Sequence, residues 1–199
     1  MGWTRTMFDQ NGRVVEVQHF AGAGMPLPWG SNANSTGRST VSYAANSTTS
    51  VDEAGVSQTS YVDGLGRLIQ VTENSLGATT TYGYDGLDNL VSVVPASGNG
   101  RSFTYSSLRH LVSAFNPESA TTSYTYDPNG NLQSRTSGGI TTSYSYDELD
   151  QLTGKTYSDL SAPNPTPWVS YTYNKGWLTD TSAGATSYHL SYAPLRRAV

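Results

Sequence analysis

Residues 121–132 read TTSYTYDPNGNL, and this stretch contains the pattern that decides the fold. Its first half alternates, so that Tyr124 and Tyr126 fall on one face of a strand while Thr125 falls on the other. One face of the predicted strand is therefore aromatic and the other carries hydroxyl groups.

The second half of the stretch predicts a turn. Asp127 stops the strand, because its carboxylate can accept hydrogen bonds from backbone N–H groups two or three residues further on. Pro128 fixes φ at the next position, and Gly130 takes the left-handed conformation that other residues resist. Leu132 then begins a return strand, and from this neighbouring strand it covers the two tyrosines. Gly138-Gly139 reverses the chain again, so one unit is a β-hairpin with two turns.

The same phrase returns along most of the chain: an aromatic residue, any residue, Tyr, Asp, two or three turn residues, and Leu. Full copies lie at residues 82–90, 103–111, 124–132 and 144–152, and degenerate copies at 8–14, 61–68, 171–178 and 192–196. The Asp position falls at 9, 63, 85, 106, 127, 147, 174 and 193, with steps of 22, 21, 21 and 20 residues in the middle. Asp52-Glu53-Ala54-Gly55 looks like another such turn, and Thr40-Val41-Ser42-Tyr43 like a strand. A short period of this kind predicts stacked supersecondary units.

The composition favours β-structure throughout. Of 199 residues, 27 are Ser, 25 are Thr and 14 are Tyr, while 20 Gly and 9 Pro supply turns. Only 13% of the residues are charged, which disfavours a helical bundle. We therefore predict an all-β protein, an antiparallel meander of hairpins in a twisted, curling sheet.

Two parts are predicted along the chain. Residues 1–38 form an N-terminal hairpin and a Gly, Pro and Asn-rich loop, and residues 39–199 form the tandem repeats. A Pro-rich insertion near 161–167 is interpreted as an excursion between strands, because proline cannot donate to a sheet ladder. The end strands of such a sheet are bare edges, and we expect them to pair with further repeats or with other copies of the chain.

Charge and composition exclude several partners. The net charge of −4 gives no basic surface for nucleic acid. The absence of Cys removes disulfides, thiol catalysis and Cys-based zinc sites. The apolar runs are far shorter than a membrane span, and the first residues lack the order of a signal peptide. We expect no nucleic acid, no membrane span, and a secreted or cell-surface location reached by a route that this chain does not encode.

The residues that could carry chemistry have simpler interpretations. One Asp per repeat is too sparse for calcium, which takes about six to eight oxygen ligands, so Asp63 and its equivalents are interpreted as turn caps. His19, His110 and His189 lack metal-ligand spacing. The serines show no nucleophile motif. We therefore predict no catalytic residue, no metal and no cofactor.

The residues that define the repeat are predicted to be structural. They are Tyr82, Tyr84, Asp85, Leu90, Tyr105, Leu111, Tyr124, Tyr126, Asp127, Gly130, Leu132, Tyr144, Tyr146, Asp147, Leu152, Tyr171, Tyr173 and Leu178. Their tyrosines are interpreted as core residues whose hydroxyl groups reach a polar partner at the rim. The alternative is an aromatic face exposed in a groove, with Trp29, Trp168 or Trp177, that binds carbohydrate or protein.

The phrase Tyr-x-Tyr-Asp-x-x-Gly-Asn/Arg-Leu at this pitch resembles the YD repeat, also called the RHS repeat. The clearest matches are residues 63–68 and 126–132, and the resemblance covers roughly residues 40–192 and 8–14. It implies a β-sheet strip wound into a hollow shell, as in bacterial Rhs polymorphic toxins, toxin-complex shell subunits and teneurins. In that family the shell encloses a toxic C-terminal domain or serves as an adhesion surface.

The resemblance implies a segment of a β-shell or β-spiral rather than a whole one. No aspartate-dependent self-cleaving core and no toxin domain are recognisable, and about eight repeats are too few to close a cocoon. We therefore expect a non-enzymatic structural protein that builds part of a shell around a toxin or effector. An extracellular binding module for a surface glycan or a protein is the alternative.

Overall fold

Strands are the regular elements of this protein. The computed structural model describes residues 2–22, 35–159 and 165–190, and within them it contains seventeen β-strands and no helix. The all-β prediction is confirmed. None of these ranges contains a helix with the length and apolar character needed to cross a membrane. Trp29, most of the Gly, Pro and Asn-rich loop, part of the Pro-rich insertion and the copy at 192–196 lie outside the described residues.

The chain divides into two compact units, and the first comprises residues 1–100. Its strands are β1 (Gly2–Phe8), β2 (Val14–Ala21), β3 (Ser35–Tyr43), β4 (Ser47–Val51), β5 (Ser57–Val62), β6 (Leu68–Glu73), β7 (Ala78–Tyr84) and β8 (Leu90–Val94). Each strand pairs antiparallel with the next one along the chain. The first unit is therefore a meander.

The second unit comprises residues 101–199 and repeats this design. Its strands are β9 (Arg101–Tyr105), β10 (Leu111–Asn116), β11 (Ala120–Tyr126), β12 (Leu132–Ser137), β13 (Ile140–Tyr146), β14 (Leu152–Tyr157), β15 (Val169–Asn174), β16 (Trp177–Ala183) and β17 (Thr186–His189). Each is again antiparallel to its successor. The predicted antiparallel meander is confirmed within each unit.

Alternating side chains explain why these segments are strands. In β11, Tyr124 and Tyr126 are half-buried, whereas Ser123 and Thr125 are exposed. The strand sequences are rich in Thr, Tyr and Val, which suit a pleated surface. The period-two pattern of the sequence is thus the period of the sheet.

Each repeat pairs its second Tyr with its Leu across the hairpin. The pairs are Tyr84 with Leu90, Tyr105 with Leu111, Tyr126 with Leu132, Tyr146 with Leu152, and Tyr173 with Leu178. The register shifts beside every pair, because the return strand holds one extra residue there. These are β-bulges, which increase the local twist of a strand pair.

Successive turns alternate between the two ends of the strands, so each unit has two turn rows. The first turn row contains the turns β1/β2, β3/β4, β5/β6 and β7/β8 of the first unit, and β9/β10, β11/β12, β13/β14 and β15/β16 of the second. The second turn row contains the intervening turns. The repeat phrase places its Asp in the first turn row, with Asp52 between β4 and β5 as an exception.

Burial is shallow because the described strands of each unit form one layer. Phe20 in β2 and Ala114 in β10 are the buried hydrophobic residues of the described part of the chain, at 6% and 4% exposure. Two buried polar residues lie beside them: Gln18, two residues before Phe20 in β2, and Thr122, which pairs with Ala114. The repeat tyrosines, expected in a core, are half-buried instead, since side chains on adjacent strands provide their cover.

Candidate functional site

The turn that follows the aromatic strand is built by one aspartate. The backbone N–H of Gly130 donates to the carbonyl oxygen of Asp127 at 3.0 Å, and the N–H of Asp127 donates to the carbonyl of Asn131 at 2.9 Å. Gly130 has φ +91°. A reverse turn followed by a left-handed residue is a common three-residue hairpin connection.

The Asp127 side chain holds this turn from within. Its Oδ1 accepts the backbone N–H groups of Asn129 at 2.9 Å and of Asn131 at 2.8 Å. The sequence predicted backbone N–H donors two or three residues on; Asn129 is the donor two residues on, and Asn131, four residues on, is a donor that was not predicted. The third N–H, that of Gly130, is already used by the main-chain carbonyl of Asp127. The carboxylate therefore binds the second and fourth residues.

The same arrangement recurs in both units, and we call it the Asp turn. Asp9, Asp52, Asp63, Asp85, Asp127 and Asp147 each accept two backbone N–H groups, from the second and fourth residues after them. Ser106 replaces the Asp in one copy, and its hydroxyl makes longer bonds of 3.3 and 3.2 Å. The turn chemistry is thus a property of the repeat phrase.

One degenerate copy has a different turn. Asn174 stands at the Asp position of residues 171–178, but it pairs directly with Trp177. Lys175 and Gly176 both have positive φ, at +51° and +82°. Two such residues make a two-residue hairpin loop, which leaves no place for a side-chain cap.

The fourth residue after the Asp has a role that the sequence analysis did not assign. Its side chain donates to Oδ2 of the same aspartate: Arg13 to Asp9 at 2.8 Å, Arg67 to Asp63 at 2.7 Å, Asn89 to Asp85 at 2.8 Å, Asn131 to Asp127 at 3.1 Å and Gln151 to Asp147 at 2.9 Å. Arg, Asn and Gln share a side-chain N–H donor. The sequence signal for this donor role is the Asn or Arg that precedes the Leu in the repeat phrase.

The tyrosines join one hairpin to the preceding one. The hydroxyl groups donate to the main-chain carbonyl of the residue that begins the earlier return strand: Tyr43 to Val14 at 3.0 Å, Tyr84 to Leu68 at 2.9 Å, Tyr126 to Leu111 at 2.9 Å and Tyr146 to Leu132 at 3.0 Å. These four hydroxyl groups therefore reach a polar partner in the preceding hairpin. We call this set the tyrosine bonds.

Several tyrosine rings are covered by the fourth residue of the preceding turn. The Arg13 guanidinium lies 4.1 Å from the ring centre of Tyr43, and that of Arg67 lies 5.0 Å from that of Tyr84. The His110 ring lies 4.6 Å from the Tyr126 ring. The fourth residue after the Asp or Ser thus caps its own turn or packs on the tyrosine of the next hairpin. Arg13 and Arg67 do both.

Polar side chains also join neighbouring turns of the first turn row. Asp88 Oδ1 accepts from the Arg67 guanidinium at 2.7 Å, and Asp150 Oδ1 accepts from the Asn131 amide at 2.6 Å. Asp88 and Asp150 have positive φ, at +64° and +60°. Asp tolerates this conformation better than most residues, and the bond across to the earlier turn holds each side chain.

These contacts shift the pKa values of the groups involved. The backbone N–H of Arg67 is the main influence on Asp63, and with the Arg67 side chain it lowers the pKa of that carboxyl. Burial acts to raise the pKa of Asp127, but the hydrogen bonds from Asn131 and Asn129 outweigh it and lower the pKa. Burial raises the pKa of the Tyr126 and Tyr146 hydroxyl groups. The turns at Asp63 and Asp127 therefore favour the ionised carboxylate, and the sites of Tyr126 and Tyr146 favour the neutral hydroxyl.

The histidines and tryptophans do not assemble into one site in the described part of the chain. His19 lies 3.1 Å from Glu53, and His189 lies 2.7 Å from Asp180. Residues 2–22, 35–159 and 165–190 contain no group of three His, Asp or Glu side chains that could hold a metal ion. Trp168 and Trp177 are 51% and 61% exposed, but they stand at opposite ends of the β15–β16 hairpin. They do not form a shared platform for a sugar ring.

An open concavity of about 520 Å³ lies over β3 to β6 in the first unit. Thr40, Val51, Gln58 and Glu73 are among its lining residues, together with Asp52. The Asp52 carboxylate already accepts two backbone N–H groups of its own turn. The concavity therefore offers hydroxyl, amide and apolar contacts together with the carboxylates of Asp52 and Glu73.

Comparison with known proteins agrees with this geometry. A family model described as RHS Repeat matches residues 62–99 and 129–161. No curated protein matches the chain. The structure of the Photorhabdus luminescens Tc holotoxin pore matches with a TM-score of 0.64 and 19% identity, over 94% of this chain and 11% of that chain. TcdB2-TccC3 without its hypervariable C-terminal region matches with a TM-score of 0.61 and 18% identity, over 93% of this chain and 12% of that chain.

The structural matches concern the fold, since their sequences have diverged widely. This chain spans only 11% and 12% of the length of those two chains, so it corresponds to a small part of each. The RHS match covers residues that hold three of the Asp turns, at Asp63, Asp85 and Asp147. The RHS Repeat match, the repeated motif and the turn geometry together show that the chain contains RHS, or YD, repeats.

Proposed function

We propose that this chain is a structural wall segment of a YD-repeat shell that encloses or displays a toxin or effector. The observation that carries the proposal is the set of tyrosine bonds. Tyr84 in the first unit and Tyr126 in the second donate to the main chain of the preceding hairpin in the same way. Such bonds join hairpin to hairpin without a ligand, which is what a continuous wall requires.

The recurring polar groups support a non-enzymatic role. The carboxylates of the Asp turns accept hydrogen bonds from their own backbone, as at Asp63 and Asp147. The tyrosine hydroxyl groups donate to carbonyls. A general acid, base or nucleophile needs an open path to a substrate, which these engaged groups lack. We therefore propose that the repeat residues act by holding the sheet together.

The partners we propose follow from the sheet and the fold. β1 is paired with β2, and β17 with β16, among the described strands. Their outer ladders suit further YD repeats or other copies of the chain. The name of one structural neighbour describes a hypervariable C-terminal region in that protein, and by analogy we propose a variable toxin or effector as cargo. The assembly then belongs outside the cell, as a secreted or surface structure.

The test is to purify the complete product of the gene, with whatever chain flanks this segment, from its own cells. Electron microscopy and limited proteolysis are then applied to the same sample. We expect a hollow particle and a polypeptide that resists protease until the particle is denatured. A solid or open particle whose every segment is digested at the same rate would refute the shell.

Matched variants connect that test to the tyrosine bonds. Tyr84→Phe, Tyr126→Phe and Tyr146→Phe together remove three hydroxyl groups and keep the rings. We expect the protected polypeptide to be digested faster in this triple variant. Tyr124→Phe is the control, because the described residues give its hydroxyl no hydrogen-bond partner.

A further inference from the structure

We infer that Asn99 is a modification site, at which the side-chain amide is lost without an enzyme and the residue becomes aspartate or isoaspartate. Asparagine followed by glycine undergoes this reaction readily, and the chain contains three such pairs, at residues 11–12, 99–100 and 129–130. The three pairs have the same chemistry, so the fold decides which of them reacts. This site is independent of the shell function proposed above.

The reaction needs an asparagine side chain and a following backbone nitrogen that are free to meet. The nitrogen attacks the side-chain carbon Cγ, the bond from Cγ to Nδ2 breaks, and the Nδ2 group leaves as ammonia with the proton of the attacking nitrogen. Water then adds to either carbonyl carbon of the cyclic imide and opens it, which gives aspartate or isoaspartate. Glycine favours the attack, because it has no Cβ and reaches conformations that other residues resist.

The Asp turn at Asp127 holds one of the three pairs in place. The backbone N–H of Gly130, whose nitrogen would attack, donates to the carbonyl oxygen of Asp127 at 3.0 Å. The Asn129 side-chain amide donates to Asp150 Oδ1 at 3.0 Å, and the Asn129 backbone N–H donates to Asp127 Oδ1 at 2.9 Å. The nitrogen and the amide must both leave their partners before they can react, so this turn protects Asn129.

The Asp turn at Asp9 holds a second pair. The backbone N–H of Gly12 donates to the carbonyl oxygen of Asp9 at 3.0 Å, and that of Asn11 donates to Asp9 Oδ1 at 2.9 Å. Arg13 binds the same carboxylate through its backbone N–H and its side chain, which closes the turn from the other end. The attacking nitrogen of this pair is therefore engaged as well.

Asn99 lies outside the Asp turns. It stands in the loop that follows β8, its side chain is exposed, and a glycine flanks it on each side. Among the described residues, no hydrogen bond holds the Asn99 side chain, and the N–H of Gly100 takes part in none of the turn hydrogen bonds found there. The amide and the nitrogen that attacks it can therefore approach each other while the sheet stays intact.

Peptide mapping by mass spectrometry, after incubation of the folded chain at mildly alkaline pH, is the experiment. We expect Asn99 to lose its amide at least about tenfold faster than Asn11 or Asn129, because several hydrogen bonds must break first at those two sites. The same incubation in concentrated guanidinium chloride removes the fold, and the three rates should converge. A rate at Asn99 in the folded chain that is no higher than the rate at Asn129 would overturn the inference.

Asn99→Gln is the matched variant, because it keeps an amide but places the amide carbon further from the backbone nitrogen, where ring closure is much slower. Its circular dichroism should match that of wild type, since the side chain is exposed. Isoaspartate in the tryptic fragment 68–101 should disappear in this variant. That fragment also contains Asn74 and Asn89, which precede Ser and Leu. Isoaspartate that persists in Asn99→Gln would assign the reaction to one of these two and would contradict the proposed site.

Discussion

Removing one hydroxyl group tests the reasoning about the tyrosine bonds. In Tyr126→Phe the ring stays against His110, 4.6 Å away, while the 2.9 Å bond to the Leu111 carbonyl is lost. A single internal hydrogen bond contributes about 1 kcal/mol to stability, and the half-buried site leaves water only partly able to replace the donor. We therefore expect the free energy of unfolding of the second unit to fall by about 1 kcal/mol. In a domain of this size that lowers Tm by about 4 to 8 °C.

Urea denaturation followed by circular dichroism measures this effect. The urea concentration at the midpoint should fall, while the slope of the free energy of unfolding against urea concentration stays unchanged. Tyr124→Phe lies on the same face of the same strand, two residues away, and should stay within about 0.5 kcal/mol of wild type. If Tyr126→Phe is as stable as wild type, or if Tyr124→Phe loses as much stability as Tyr126→Phe, the hydroxyl bond of Tyr126 does not stabilise the sheet.

Other predictions follow from the Asp turns. Gly66 has φ +80°, Gly64 has no left-handed φ, and no atom lies within 4 Å of a Cβ added at either. Gly66→Ala should therefore lower the free energy of unfolding by about 1 kcal/mol, whereas Gly64→Ala should leave it unchanged or raise it. Equal urea midpoints for the two variants would contradict this. The lowered pKa of Asp127 stabilises the fold above the ordinary value of 3.8, so stability should fall as pH drops through the folded-state pKa, and Asp127→Asn should flatten that fall. Calcium chloride or a chelator should leave Tm unchanged, because both Asp127 carboxylate oxygens are occupied by its own turn; a rise of several degrees with calcium would show a metal site.

Local interactions explain what the sequence could predict. The Asp turn involves residues within four positions of Asp127, so its side-chain cap and the left-handed Gly130 followed from the phrase itself. The role of Arg67 or Asn131 was harder to find, because the residue type varies and only the side-chain N–H donor is shared. The Asn174 copy was misleading, since the Lys175-Gly176 pair selects a shorter loop than the aligned letters indicated.

Interactions between hairpins explain what the sequence could not predict. The sequence predicted a polar partner for the hydroxyl of Tyr146, but the Leu132 carbonyl is fourteen residues away and depends on which strands are neighbours. The half-buried state of the tyrosines follows from the number of layers in the sheet, which no single hairpin encodes. The alternation of side chains along a strand predicts which residues share a face. Only the assembled sheet determines how deeply that face is buried.

The Asp turns at both ends of β5 restrict how a chain of this kind can grow. Asp52 and Asp63 are 11 residues and one strand apart, and they stand in opposite turn rows, whereas Asp127 and Asp147 are 20 residues and two strands apart and share a row. Inserting or deleting a single strand would transfer every later Asp turn to the other margin. The first tyrosine after the change would then face away from the carbonyl that receives its hydroxyl group. Such genes should therefore gain and lose whole hairpins. The number of strands would then change by two at a time, even where the sequence diverges.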